Sequence, residues 1–291
     1  MEWLTDIKIP IGPLAREAVN WLTSNGKWLF DFLKVFLQAG IDGVLFVLRA
    51  PYITGSGGEL AYSLFIILLI TAVSWYFRRS IGIALFTFLG LLLIVNQGYW
   101  KETTETLALV LAATAVSMII GVPLGIAAAR RPWFYAFLRP ILDLMQTIPT
   151  FVYLIPALIL FGLGMVPGLI ATVIFAIPAP IRLTRLGIIS TPPSLVEAAQ
   201  AFGATPSQVL RKVELPFAMP QIMAGLTQTI MLSLSMVVIA ALVGARGLGV
   251  PVVRALNTVN ISMGFEAGLC IVILAIILDR LFRSSDEGNG S

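Results

Sequence analysis

The chain has 291 residues, 58% hydrophobic and 12% charged; soluble domains carry roughly a quarter charged residues, so this is a membrane protein. A net charge of +4 is too small to indicate nucleic acid, and the absence of histidine removes imidazole catalysis and the commonest metal ligand. Cys270 is the single cysteine, so no intramolecular disulfide forms, and no G-x-x-x-x-G-K-[ST] run exists to hold ATP in this chain.

The opening MEWLTDIKIP has neither a basic stretch nor an apolar core, so no cleavable signal peptide is expected. Residues 1–57 form an N-terminal amphipathic region. Arg16, Asn20, Thr23, Lys27, Asp31, Lys34, Gln38 and Asp42 recur every three or four positions, one polar stripe along a helix or helix pair. Trp21, Trp28, Leu29, Phe32, Phe36 and Leu37 fill the gaps. Asp31, Lys34 and Asp42 would be costly inside lipid, so the region is expected to lie along the membrane. The competing reading is a membrane span over 28–48. ITGSGG at 53–58 is expected to be a flexible joint.

Hydropathy then marks seven segments for crossing, at 60–77, 81–96, 107–129, 141–161, 169–186, 222–243 and 267–281. In the third, Gly121, Pro123 and Gly125 allow close packing or a kink. The fourth carries the most polar residues. Arg139, Asp143, Gln146, Thr147, Thr150 and Tyr153 follow helical spacing and are expected to share one face, with Arg139 and Asp143 paired a turn apart. Pro149 and Pro156 interrupt the backbone ladder, which a membrane tolerates where helices pack or a cavity is lined. The face from Asp143 to Tyr153 is the candidate wall of a translocation path. Gln228, Met231 and Ser235 of the sixth segment form a second, weaker line. The competing role is plain hydrogen bonding between helices. Gly162 to Gly164 and the GARGLG run at 244–249 are glycine turns; residues 58–283 form the membrane domain, and 284–291 a polar, disordered tail.

Between the fifth and sixth segments lies a run that cannot sit in lipid, SLVEAAQAFGATPSQVLRKVELP at 194–216. Ser194 and Glu197 have the spacing of a capping box, and Gly203 has the place of a left-handed C-cap. Thr205, Pro206 and Gln208 repeat the start signal, and Leu215-Pro216 is expected to close the unit. If this loop is cytoplasmic, alternation puts Arg78, Arg79, Arg130, Arg131, Arg139, Arg280 and Arg283 on the same side, with the N-terminal region outside and the C-terminus in the cytoplasm.

Glu197-Ala198-Ala199, Gly203 and Val213-x-Leu215-Pro216 resemble the EAA loop of ABC importer permeases, departing only in valine at 213 where isoleucine is common. The runs LDLMQTIP at 142–149, LSLSMVVIA at 232–240 and 244–249 look like the permease of glycine betaine/choline/proline importers, over roughly residues 60 to 283. The resemblance implies an all-α membrane protein with the type I ABC importer transmembrane fold in a bacterial inner membrane. It also implies a non-catalytic homodimer, two ATPase subunits that bind ATP-Mg at the cytoplasmic face, and an extracytoplasmic substrate-binding protein. Glu197, Ala198, Ala199, Gly203, Leu215 and Pro216 would couple to the ATPase. No cofactor or nucleic acid is implied for this chain. The alternative is an ion-gradient-driven transporter of a small amine or amino acid, which would favour functional charges within the spans. An enzyme would need a cluster of titratable groups in the bilayer, and the sequence has none.

Overall fold

A computed structural model describes residues 11–49 and 58–282. The opening decapeptide, positions 53–57 of the expected joint and the tail lie outside these residues. Among the described residues every regular element is helical. In chain order they are α1 (Ile11–Asn25), α2 (Lys27–Arg49), α3 (Gly58–Arg78), α4 (Ile81–Asn96), α5 (Trp100–Arg130), α6 (Pro132–Thr147), α7 (Thr150–Phe161), α8 (Met165–Ala176) and α9 (Pro178–Ile189). There follow α10 (Pro193–Ala201), α11 (Pro206–Val209), α12 (Leu215–Ser235), α13 (Val237–Ala241), α14 (Gly249–Thr258) and α15 (Ile261–Phe282).

The centre of the molecule is α9, wedged between α5 and α12. Small residues permit that approach. A Cβ on Gly125 of α5 would stand 2.7 Å from the Ile181 carbonyl oxygen and from Thr184, and one on Gly187 would stand 2.8 Å from Ala218 of α12. Gly121 and Gly125 therefore serve close packing. With so little space between backbones, Ile181, Ile188, Ala218 and Ile222 are all buried and dispersion contacts hold the three helices together.

Among the described residues, by length and apolar composition, Ala61–Arg78, Trp100–Arg130, Met165–Ile189 and Ile261–Phe282 can each cross a membrane, and α6 with α7 makes five if that bent pair counts as one. Of the seven expected segments, 81–96 is an apolar helix of 16 residues, and 222–243 is divided between α12 and α13, with Met236 as the cap between them. Gln221, Thr227 and Gln228 lower the apolar character of α12.

Helix α2 has three faces. Leu37, Ile41, Val44 and Leu48 pack on the core, and Phe30 meets Phe161 edge-on at 5.5 Å between ring centroids. Trp28, Phe32, Phe36 and Phe46 form an exposed apolar face, and Lys27, Asp31, Lys34 and Asp42 an exposed polar one. At its end Arg49 donates to Thr104 Oγ1 at 2.9 Å and to the Lys101 carbonyl at 2.6 Å, and pairs with Glu105 at 3.1 Å.

Candidate functional site

The 194–216 run is two helical arms around a glycine turn, with local chemistry that departs from expectation at both ends. Ser194 is not the cap. Pro192 occupies that position and makes no side-chain cap bond, so the Ser194–Glu197 capping box does not form. The reason is Pro193, whose fixed φ and missing N–H suit the first helical residue, so the helix starts early and Ser194 falls within its first turn. The glycine turn is as expected. Gly203 has φ +80°, its N–H donates to the Gln200 carbonyl at 2.8 Å, and the Ala204 N–H donates to the Ala199 carbonyl at 3.0 Å, a Schellman closure. Thr205 then caps the second arm: its hydroxyl accepts from the Gln208 N–H at 3.4 Å while Gln208 Oε1 accepts from the Thr205 N–H at 2.7 Å.

Leu215-Pro216 does not end this unit. A π turn over Leu210–Glu214 carries the helix straight into α12, with the Leu215 N–H reaching the Leu210 carbonyl five residues back. The wider turn accommodates Pro216, which has no N–H to continue an α ladder. The second arm is thus the extension of a core helix, and it is clamped. Arg130, the last residue of α5, donates to the Pro206 carbonyl at 3.0 Å and pairs with Glu214 at 2.9 Å. At the turn itself Phe202 is 93% exposed, with Glu197 and Ala198 also exposed and Ala199 half-buried.

The polar residues of the fourth segment do not lie on one face. Pro149 holds Ile148 in an extended conformation (φ −65°, ψ 132°), which ends α6 and bends α7 by 96°. Tyr153 sits beyond the bend, and its hydroxyl donates back to the Leu144 carbonyl at 3.1 Å and the Met145 carbonyl at 2.6 Å. It caps the free end of α6. Thr150 opens α7, and the Thr147 hydroxyl turns back to the Leu144 carbonyl at 3.4 Å. The expected Arg139–Asp143 pair is a 4.0 Å contact, outcompeted by Arg182, which lies 2.6 Å from Asp143 and donates to Gln146 Oε1 at 3.1 Å. On α12, Gln228 is exposed, Met231 packs on the core, and the Ser235 hydroxyl donates to the Met231 carbonyl at 3.0 Å.

Arg182 is the residue that sequence reasoning passed over. A signal existed: Arg182 and Arg185 both interrupt an apolar segment, and a charge there needs a partner. Arg185 finds one too, its guanidinium centre 3.6 Å from the ring centroid of Tyr135.

Residues 121–288 match the family described as binding-protein-dependent transport system inner membrane component. The chain belongs to this family. The glycine betaine transport system permease protein OpuAB of Bacillus subtilis (strain 168) is 45% identical over 277 residues, covering 95% of this chain and 94% of the relative. The glycine betaine/carnitine transport permease protein GbuB of Listeria monocytogenes serotype 1/2a (strain 10403S) is 52% identical over 226 residues, 77% of this chain and 80% of the relative. The Escherichia coli (strain K12) glycine betaine/proline betaine permease ProW is 42% identical over 279 residues, 95% of this chain and 75% of the relative. Among solved structures, an inward-facing form of the MetNI methionine ABC transporter aligns with a TM-score of 0.57 at 26% identity, covering 63% of this chain and 94% of that one. The permease is therefore a multi-pass membrane subunit of an ATP-driven importer with the type I fold. It does not catalyse ATP hydrolysis, and it works with an ATPase and a substrate-binding protein. Family membership sets aside the ion-gradient alternative.

Proposed function

We propose that this permease carries a small solute joining a quaternary or substituted nitrogen to an anionic oxygen, with glycine betaine as its principal cargo. The observation that carries the reading is the similarity along 95% of the chain to a glycine betaine permease. ATP-Mg is bound by the partner ATPase. Glu197, Ala198, Ala199, Gly203, Leu215 and Pro216 form the docking device, with Phe202 at its tip entering an apolar cleft on the ATPase. What supports this is a large apolar side chain held 93% exposed at a rigid glycine turn.

Two copies of the chain form the path. On α12, Phe217, Gln221, Ala224, Gln228 and Ser235 make an exposed stripe opposite the packed face; glutamines on it are poorly suited to lipid and better suited to a second copy and a wet channel. Asp143, Gln146 and Arg182 line the same route, with Thr147 and Thr150 at its bend, whereas Met231 and Tyr153 serve packing and capping. The three-faced α2 lies along the outer membrane boundary, its aromatic face in lipid and its charged face in water.

The deciding experiment is uptake into proteoliposomes holding the permease, its ATPase and its substrate-binding protein. ATP-dependent accumulation of radiolabelled glycine betaine is expected, with carnitine, choline and proline as competitors. No uptake of glycine betaine by an ATPase-active complex would overturn the reading.

A further inference from the structure

Helix α5 has 31 residues, roughly 46 Å at the helical rise. One end is the Arg130 clamp. At the other end lies a cavity of about 290 Å³, open to the surface, whose wall includes Tyr99, Lys101, Glu102, Glu105, Arg246 and Arg254.

The wall is built firmly. Gly247, next to Arg246, has φ +125°, and a Cβ there would stand 2.5 Å from Thr106 Oγ1. That hydroxyl accepts from the Leu248 N–H at 2.8 Å, and the Arg246 N–H donates to Met165 Sδ at 3.1 Å. The loop carrying Arg246 is thereby pinned to the early turns of α5 through Thr106 and to the start of α8 through Met165, and α14 follows directly with Arg254.

The charges do not balance within the protein. Glu105 is buried and answered by Arg49. Among the described residues Glu102 has no salt-bridge partner, and its Oε2 is buried with no hydrogen-bond partner, a costly state for a carboxylate oxygen. Lys101, Arg246 and Arg254 are exposed, and none has a salt-bridge partner among the described residues. A simple anion would meet Glu102, and a simple cation would meet three basic groups.

We propose that this cavity is a binding site for a small zwitterion, at the end of α5 remote from the coupling loop. The inference rests on the cargo reading above and extends it to a second place on the importer. The ligand's carboxylate lies against Arg246 and Arg254, whose forked donors match it. Its cationic nitrogen lies toward Glu102 and the ring of Tyr99. The volume is close to the lower bound of about 300 Å³ for small-molecule pockets and suits a ligand of amino-acid size.

The test uses the complete permease–ATPase complex in lipid nanodiscs, without substrate-binding protein, titrated with radiolabelled glycine betaine. Saturable binding is expected. It should weaken at least tenfold in Glu102→Gln and in the Arg246→Gln/Arg254→Gln double variant, persist in Glu102→Asp, and be displaced by proline but not by acetate. Size-exclusion profiles matching wild type establish that each variant complex is assembled. Undiminished binding in both variants, or no saturable binding in a complex that imports glycine betaine once binding protein is added, overturns the site and leaves the cargo reading standing. Variants that bind solute normally but no longer associate with the binding protein would assign the arginines to protein docking and also overturn it. A wild-type complex that imports no glycine betaine at all removes the cargo reading and this proposal together.

Discussion

Arg182 Nη2 lies 2.6 Å from Asp143 Oδ1, joining two helices across 39 residues of sequence. The contact ties α6, just before the 96° bend into α7, to α9, the helix that leads into the 194–216 loop. The two side chains are 35% and 53% exposed in the single subunit, so the pair is worth about 1 kcal/mol at most as a stabilising contact. Its interest is positional, because α9 runs on toward the 194–216 loop and a displacement of that loop would be felt at Asp143. Asp143→Asn and Arg182→Gln are each predicted to lower uptake about fivefold, the factor equivalent to 1 kcal/mol, with complex assembly unchanged. The Asp143→Arg/Arg182→Asp exchange should recover part of the loss. Uptake at wild-type level in both single variants would remove the pair from the transport cycle.

Gly203 stands at φ +80° with nothing within 4 Å of its would-be Cβ, so the demand for glycine is purely conformational. A side chain at a left-handed position costs roughly 1–2 kcal/mol, and a β-branched one more. Gly203→Val is predicted to leave membrane insertion intact while weakening co-purification with the ATPase and suppressing solute-stimulated ATP hydrolysis. Wild-type values for both readouts would show that the loop's shape is not what transmits the work.

The Arg130–Glu214 clamp gives a milder version of the same test. Glu214 is 15% exposed at its side chain, and Arg130 also holds the Pro206 carbonyl. Glu214→Gln keeps a hydrogen-bond acceptor but loses the charge, a change of about 1 kcal/mol. The expected result is a complex that assembles normally and whose ATPase is stimulated less by loaded binding protein. Equal stimulation in wild type and variant would show that the clamp is dispensable.

Gly125 should tolerate nothing larger. A Cβ meets the Ile181 carbonyl oxygen and Thr184 at 2.7 Å, and the nearest atoms include rigid backbone. Overpacking of this kind costs about 1–3 kcal/mol. Gly125→Val is predicted to lower the thermal stability of the purified complex, read by fluorescence-detected size exclusion after heating, whereas Gly43→Ala on α2, with open space around it, should not. Similar melting of the two variants would contradict the packing account.

Composition and local spacing were enough to establish the class of protein and the location of its loop. Composition excluded a soluble domain, and the 194–216 run could be placed because polar residues between apolar segments have nowhere to go but water. Gly203 and the Thr205–Gln208 box were legible for a related reason: caps are made by residues a few positions apart, so spacing alone specifies them. Ser194 failed as a cap because the two adjacent prolines competed for the helix start. Tertiary structure decided the rest. Spacing put Arg139 beside Asp143, yet Arg182 took that carboxylate from another helix, because a guanidinium in an apolar segment must find an anion wherever the fold brings one. The six polar residues from Arg139 to Tyr153 kept helical spacing, but Pro149 broke the helix and changed what that spacing meant. Arg130 with Glu214, and the charged cavity at the far end of α5, join residues tens to well over a hundred positions apart. Periodicity reports only neighbours on one element; which elements meet is settled by how three glycine-lined helices can approach, and that packing appears only in three dimensions.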